Sequence, residues 1–198
     1  MKKVLGLATV VCLVISCSSS KQVTRLEPET VTDLSGNWND TDSRMVAQEM
    51  ITDAVGRPWL YDFVAKNGRQ PVVTVGTIRN LSSEHIDTEV FTKDFERELL
   101  NSGKVKFVAS KEERGEVREE RMDQAESASR ETMKKLREET GADFLLSGSV
   151  KSVVDQEEKN KAIFYQTDLQ LINIETNEKV WIGSKEIKKG ISRGSRKW

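Results

Sequence analysis

The sequence predicts an α/β domain in which helices flank a small mixed sheet, arranged as a two-layer or a three-layer sandwich. Two near-continuous apolar runs, at residues 70–78 and 142–150, are typical of strands in the centre of a sheet. Apolar residues at helical spacing precede and separate these runs. A long alternating segment at residues 162–174, followed by a turn and a second apolar segment, indicates a C-terminal antiparallel hairpin.

Two helical segments open the domain. We expect the first helix to begin at Asp40 or Thr41, because either side chain can cap a first turn, and to end before Gly56 and Pro58. Its apolar positions at helical spacing are Ala47, Met50, Ile51 and Ala54. A second, short helical or irregular segment follows as far as Gly68.

A strand–helix–strand unit comes next. The strand at residues 70–78 and a polar loop at residues 80–86 lead into a helix that begins at Asp87 or Thr88. The apolar residues of this helix, each four positions after the last, are Phe91, Phe95 and Leu99. A short strand follows at residues 106–110, and a unit of this size predicts parallel strands joined by a right-handed crossover.

The middle of the chain is strongly charged. Residues 111–126 are almost all charged and alternate in sign, which favours a solvated, salt-bridged helix over a binding motif and leaves a mobile loop as the alternative. Ser129 then begins a predicted helix that contains Met133 and Leu136 and ends at residues 140–141.

The remaining residues predict three strands and a tail. The third strand and the long alternating strand at residues 162–174 are separated by a charged turn at residues 155–161. Residues 175–178 form the turn of the predicted hairpin, and residues 179–184 form its second strand. The last stretch is basic and ends at Trp198.

The composition excludes several classes of protein. Charged residues make up 32% of the 198 residues and aromatic residues 6%, which predicts an aliphatic core under a charged surface. A formal net charge of −1 argues against a nucleic-acid-binding protein, which would usually be clearly basic. The two cysteines, Cys12 and Cys17, both lie in the N-terminal leader, so we expect neither a disulfide nor thiol chemistry in the domain.

The first 17 residues predict a lipoprotein signal. Lys2 and Lys3 precede an apolar stretch at residues 4–15 that is too short for a comfortable membrane span. The sequence Val-Ile-Ser-Cys at residues 14–17 resembles a bacterial lipobox, in which the cysteine is lipidated and the peptide is cut before it. The alternative is an ordinary secretory signal, which would place a small residue where Val14 stands.

These observations divide the chain into three parts. Residues 1–16 are the predicted lipoprotein signal peptide, and Cys17 is the predicted lipidation site. Residues 17–40 are a lipidated polar tether, and residues 41–198 are a single globular domain with a basic C-terminal tail.

Motifs for catalysis and for metal binding are missing from the sequence. His85 is the only histidine, so no histidine pair is present to hold zinc. The sequence contains no G-x-x-x-x-G-K-[ST] or G-x-G-x-x-G motif. We therefore predict a protein that is not an enzyme and that uses no metal, cofactor, small-molecule substrate or nucleic acid.

Two tryptophans are candidates for partner binding. Trp38 lies in the turn SGNWNDT at residues 35–41, where it either packs on the domain beside a helix cap or presents a binding surface. Trp198 ends the basic C-terminal stretch, which is either a solvated tail or a site for an anionic partner.

Taken together, these segments resemble the LpoB-type family of lipoproteins that activate penicillin-binding proteins. The matching stretches occur in the order of the family and are LSGNWNDTD at residues 34–42, VVTVGTIRN at 72–80, FERELLNSG at 95–103, KFVAS at 106–110, GADFLLSGS at 141–149 and LQLINIETNEKVW at 169–181. The resemblance implies a fold similar to the N-terminal domain of TolB. Residues 17–40 are shorter and poorer in proline than the tether of the enterobacterial members.

The resemblance also implies a function. It implies an outer-membrane lipoprotein, facing the periplasm, that binds a bifunctional peptidoglycan synthase and activates it allosterically, so that it regulates cell-wall synthesis. Ser18, rather than an aspartate, follows Cys17, which favours outer-membrane delivery where enterobacterial sorting rules apply. None of the matching motifs identifies a residue that contacts the synthase.

Two other functions remain open from the sequence. The first is a generic envelope scaffold or adaptor. The second is a secretion pore similar to CsgG, whose Gly-Ala-Asp-x-Leu-Leu-x-Gly-Ser stretch the chain shares at residues 141–149. A pore needs long membrane-spanning hairpins with alternating apolar residues, and residues 111–126 are too charged to supply one.

Overall fold

The computed structural model describes residues 22–127 and 140–192. The helices among these residues are α1 (Asp40–Ala54), α2 (Pro58–Asn67), α3 (Thr88–Asn101) and α4 (Lys111–Ser127). The strands are β1 (Val72–Leu81), β2 (Lys106–Phe107), β3 (Phe144–Glu157), β4 (Asn160–Asn173) and β5 (Lys179–Ser192). None of the helices in this part of the chain combines the length and the apolar character needed to cross a membrane.

The strands form one five-stranded mixed sheet in the order β2-β1-β3-β4-β5. β1 pairs in parallel with both β2 and β3, whereas β3–β4 and β4–β5 are antiparallel. This arrangement confirms the predicted fold class, including the parallel strand–helix–strand unit and the C-terminal hairpin. The similarity to TolB stays a prediction.

The predicted starts of the two longest apolar-faced helices lie within one residue of the observed ones. Asn39, not Asp40 or Thr41, is the N-cap of α1, and it forms a reciprocal capping box with Asp42. Asp87, one of the two starting residues that the sequence predicts, is the N-cap of α3, and its carboxylate accepts hydrogen bonds from the backbone N–H groups of the next turn.

One hydrophobic core joins the helices to the sheet. The buried residues of α1, α2 and α3 pack with those of all the long strands in a single cluster. Phe91, Phe95 and Leu99 line the buried side of α3, as their spacing predicts. In the described residues this is the two-layer alternative, with α1, α2 and α3 on one face of the sheet.

Two predicted segment boundaries in the C-terminal half of the chain are wrong. Residues 155–161 are not a turn, because β3 and β4 continue through them and only Glu158 and Lys159 connect the strands. β5 likewise continues eight residues beyond its predicted end, and Ile191 pairs with Lys161. Charged side chains are tolerated here because this end of the hairpin is largely exposed on both faces. The predicted helix at residues 129–141 lies almost entirely outside the described residues.

Candidate functional site

The structure describes only some of the residues that the sequence singles out. The predicted lipidation site Cys17 and the candidate Trp198 both lie outside the described residues. His85 is exposed in the loop that follows β1. Trp38, by contrast, lies within the described residues.

Trp38 packs on the domain immediately before α1. Its ring makes edge-on contacts with the rings of Phe91 and Tyr165, with centroid distances of 5.6 and 5.5 Å. Its indole N–H donates a 2.8 Å hydrogen bond to the hydroxyl of Ser43. This is the geometry of the packing alternative, although half-burial leaves part of the ring at the surface.

Glu84 joins this tryptophan to the sheet. One oxygen of its carboxylate accepts a 3.1 Å hydrogen bond from the backbone N–H of Trp38, and the other accepts a 2.7 Å bond from the hydroxyl of Tyr165. Burial, and then the hydrogen bond to Glu84, raise the pKa of Tyr165. The phenol therefore stays protonated and acts as a hydrogen-bond donor.

Lys189 holds the residues before α1 against β5. Its ammonium group lies 2.6 Å from the carboxylates of both Asp33 and Asp42, and it donates a 3.2 Å hydrogen bond to the carbonyl of Asn37. Burial opposes the charge, but the two carboxylates outweigh it and raise the pKa of Lys189. We call residues 33–39 the N-terminal segment. Its Gly36, at φ +73°, lies against Ile191, where a Cβ would overlap the isoleucine side chain.

A groove of about 700 Å³ lies at the other end of the strands. We call it the α2 groove, since α2 forms one wall and the turn between β4 and β5 forms another. Its lining residues are Pro58, Trp59, Asp62, Phe63, Lys66, Asn67, Arg69, Ala142, Asp143, Phe144, Asn173, Ile174, Glu175 and Val180. The volume is in the range of sites that receive a small molecule or a few side chains of a partner.

An ion pair and an aromatic cluster line the α2 groove. Arg69 donates two 2.7 Å hydrogen bonds to the carboxylate of Asp143. The same carboxylate accepts a 2.8 Å bond from the N–H of Val72, at the start of β1. The Arg69 guanidinium lies 5.1 Å from the centre of the Phe63 ring, and that ring packs edge-on against Phe144 at 5.3 Å.

The Asp143 carboxylate of the α2 groove is a poor proton acceptor. Hydrogen bonds from Arg69 lower the pKa of Asp143, so this carboxylate is a weak base with its lone pairs already engaged. The lining contains no serine, threonine, cysteine, histidine or tyrosine, and its other ionisable side chains are Asp62, Lys66, Arg69 and Glu175. In the described part of the chain no group of three histidine, cysteine, aspartate or glutamate side chains is placed to hold a metal ion.

The sequence does not predict the α2 groove. Arg69 and Asp143 are 74 positions apart, and no local pattern indicates that they meet. The only signal is Arg69 itself, a charged residue beside the predicted first strand, and charges of this kind are common at strand ends.

Comparison with known proteins gives one family. A family model described as "Peptidoglycan-synthase activator LpoB" matches residues 42–187, which is more than half of the chain. The match runs from the first turn of α1 to the middle of β5. No curated protein sequence gives a significant match.

Solved structures with a similar fold include two LpoB C-terminal domains. The domain from Salmonella enterica shares 16% identity and a TM-score of 0.44, with 74% of this chain and 98% of that chain covered. The domain from Escherichia coli shares 17% identity and a TM-score of 0.42, with 77% and 99% covered. Lipoprotein GNA1162 from Neisseria meningitidis shares 15% identity and a TM-score of 0.40, with 64% and 88% covered.

Proposed function

The chain belongs to the LpoB family of peptidoglycan-synthase activators, and from this we propose that it is an outer-membrane lipoprotein that binds and activates a bifunctional peptidoglycan synthase. The observation that supports the proposal most directly is the extent of the family match, which spans nearly all of the sheet and the helices packed on it. The synthase would be a penicillin-binding protein, and no small-molecule substrate is part of the proposal.

Activation would be allosteric. A protein that contributes no reacting group can raise the rate of an enzyme only by binding its active form more tightly than its inactive form. A tenfold shift towards the active form needs a difference of about 1.4 kcal/mol between the two binding free energies. A few well-packed side chains at an interface supply a difference of this size.

Attachment to the outer membrane would be through Cys17. Lipid chains bind the bilayer with roughly 0.8 kcal/mol per buried methylene group, so several chains hold a protein durably. The domain would face the periplasm. Because the N-terminal segment begins at Asp33, the 15 residues at 18–32 separate it from Cys17, and this stretch spans at most roughly 55 Å when fully extended.

Lipidation is tested by metabolic labelling with a radioactive fatty acid. We expect label on the wild-type chain and none on Cys17→Ala, and the wild-type label should fractionate with the outer membrane. Absence of label from the wild type, or label that survives the substitution, would contradict the anchor.

Activation is tested by crosslinking in cells followed by assay of the purified partner. The full-length lipidated chain should recover a penicillin-binding protein, and adding it to that enzyme in detergent should speed glycan polymerisation. Recovery of other envelope proteins without a synthase would indicate an adaptor instead. Detergent-stable rings that conduct ions across a bilayer would indicate a pore.

A further inference from the structure

β5 forms a long edge of the sheet that carries no further strand. It is the last strand in the order β2-β1-β3-β4-β5 and contains 14 residues, whereas β2, at the opposite edge, contains 2. In an antiparallel pair, every second residue directs its N–H and C=O groups away from the neighbouring strand. Among the described residues, no backbone–backbone hydrogen bond joins these outward groups of β5 to another segment. The backbone at this edge can therefore pair with one more strand.

Two lysines on one face of β5 are already balanced by carboxylates of the same chain. Lys185 forms an ion pair with Glu49 on α1. Lys189 forms ion pairs with Asp33 and Asp42. Lysines on an edge strand normally discourage pairing with another chain, because they bring positive charges together. The neighbouring carboxylates remove most of this obstacle at both positions.

Two charges on the other face of β5 have no such partner. Glu186 and Lys188 are both exposed, and they lie two positions apart on the same face of the strand. Their neighbours on β4 are the uncharged residues Gln166 and Phe164. Within the described residues, neither Glu186 nor Lys188 takes part in an ion pair. Both charges are therefore available to a strand that adds to this edge.

The order of these two charges makes β5 complementary to itself in one register. When two copies of a strand pair antiparallel about a two-fold axis, one residue faces its own copy. If that residue is Ile187, Glu186 faces Lys188 of the second copy, and the symmetry repeats the contact. A shift of the centre by one residue places either two glutamates or two lysines opposite each other, which destabilises a pair of strands.

We propose that β5 is a self-association edge, through which two copies of this chain pair antiparallel about Ile187 and join their sheets into one. The pairing takes in residues 182–192 of each copy, which is nearly all of β5 beyond the register shift near residue 180. The opposite charges at Glu186 and Lys188 select the register, while the backbone hydrogen bonds hold the two strands together. The inference goes beyond the proposed function, and it does not depend on it because no synthase takes part.

The same register brings the two N-terminal segments close together. Lys189, which binds Asp33 in each copy, faces Lys185 of the second copy, so the two Lys189 residues lie four positions apart along the strands. At about 3.3 Å per residue, this separates their Cα atoms by roughly 14 Å. Two tethers that leave the pair at neighbouring points can both reach one bilayer, so the pairing is compatible with a lipid anchor on each chain.

The first test reverses the charges that select the register. Sedimentation of the full-length lipidated chain, in an excess of detergent micelles, measures the dimer dissociation constant. We expect Glu186→Lys and Lys188→Glu each to weaken the dimer at least tenfold, because each substitution places like charges opposite each other twice in the symmetric pair. The double variant, Glu186→Lys with Lys188→Glu, restores both opposite-charge contacts and should dimerise within threefold of the wild type.

Asp155→Lys is the matched control for these charge reversals. Asp155 is exposed on the same face of the sheet but lies on β3, two strands from the edge, where it is aligned with Ala162 and Gly190. We expect this variant to dimerise within twofold of the wild type. Circular dichroism of every variant, at a concentration where the wild type is monomeric, checks that the fold is retained.

The second test traps the pair in membranes. Cys12 and Cys17 both lie outside the domain, so an introduced pair of cysteines supplies its only thiols. Glu186→Cys combined with Lys188→Cys places thiols opposite each other across the two copies, with Cα atoms about 4.5–5.5 Å apart, which is within the range of a disulfide. Mild oxidation of membranes that contain this variant should give a disulfide-linked dimer. Ile182→Cys combined with Ser184→Cys, with the same spacing on the same face, should stay monomeric because those positions face residues 192 and 190 of the second copy.

The outcomes decide both the pairing and its register. A wild-type chain that sediments as a monomer at every concentration, together with no disulfide-linked dimer from the Glu186→Cys and Lys188→Cys variant, overturns the proposal. A dimer that both single charge reversals leave intact overturns it, and so does a double reversal that fails to restore the dimer. Disulfide-linked dimers in equal amounts from the two cysteine variants also overturn it, because the strands would then have no fixed register.

Discussion

The hydroxyl group of Tyr165, on β4, donates a 2.7 Å hydrogen bond to the carboxylate of Glu84, in the loop that follows β1. The tyrosine side chain is completely buried, and its ring packs against Trp38. Since the other oxygen of Glu84 accepts from the backbone of Trp38, one carboxylate joins the sheet, the loop and the start of the domain. Buried polar contacts of this kind contribute mainly because leaving either partner unpaired is costly.

Tyr165→Phe should therefore destabilise the domain by about 1.5–3 kcal/mol, the range for a hydrogen bond to a charged group. The substitution keeps the ring contacts and removes only the donor to Glu84. Tyr61→Phe is the matched control, because that tyrosine is 64% exposed, and we expect it to be near neutral. Urea denaturation followed by circular dichroism measures both, and equal midpoints for the two variants would contradict the role of the Glu84 contact.

Local sequence patterns predicted the helices and strands that depend on contacts between residues a few positions apart. The spacing of Phe91, Phe95 and Leu99 and the capping residue Asp87 were enough to predict α3. Alternation predicted that β4 has one buried face, and Ile163 and Leu169 lie on it. These signals are local because helix capping and strand alternation depend on residues a few positions apart.

The contacts that shape the candidate site were not predictable in the same way. The hydrogen bonds from Arg69 to Asp143, and from Lys189 to Asp33, join residues that are 74 and 156 positions apart. The sequence places Lys189 in a basic C-terminal stretch that is either a solvated tail or a site for an anionic partner. The structure places its ammonium group between two carboxylates, where a buried lysine is tolerated.

Gly148→Ala should destabilise the domain strongly, because a Cβ at this position would overlap the carbonyl oxygen of Asp168 and the side chain of Leu169 on β4. The close neighbour of Gly148 is the adjacent strand, because Gly148 pairs with Leu169 on β4. Overpacking of this kind costs about 1–3 kcal/mol or more. Thermal unfolding measures the loss.

Gly190→Ala is the control for this substitution. Gly190 also lies within a strand, and no atom lies within 4 Å of a Cβ built there, so we expect a small change or a slight gain in stability. If the Gly148→Ala and Gly190→Ala variants have the same melting temperature, β3 and β4 separate easily enough to accept the methyl group.

The ion pair at the α2 groove should make stability depend on pH in the acid range. Hydrogen bonds from Arg69 hold the pKa of Asp143 below its ordinary value of 3.8. A carboxyl group with a lower pKa in the folded state stabilises the fold above its unfolded pKa, and this contribution is lost as the pH falls through the folded pKa. The loss should therefore begin near pH 4 and continue below it.

Arg69→Gln tests the cause of this shift. The amide cannot form an ion pair, so the pKa of Asp143, followed by NMR of its carboxyl carbon, should rise towards 3.8 in the variant. The variant should also lose the part of the acid-dependent stability that the ion pair supplies. A wild-type Asp143 that titrates at or above 3.8 would contradict the bidentate contact.

Lys189→Met should release the N-terminal segment from β5. The Lys189 side chain is only 10% exposed, and Asp42, 7% exposed, would lose its counter-charge while keeping a 2.9 Å hydrogen bond from the N–H of Asn39. Removing one partner of a largely buried ion pair costs about 3 kcal/mol of stability. The loss is smaller by the hydration free energy that the exposed Asp33 carboxylate regains.

Lys188→Met, on the exposed side of the same strand, should leave stability within about 0.5 kcal/mol of the wild type. Limited proteolysis distinguishes a local effect from a global one. In Lys189→Met, cleavage within residues 33–38 should appear before the sheet unfolds. If no such cleavage appears, Trp38 holds the segment in place without the lysine.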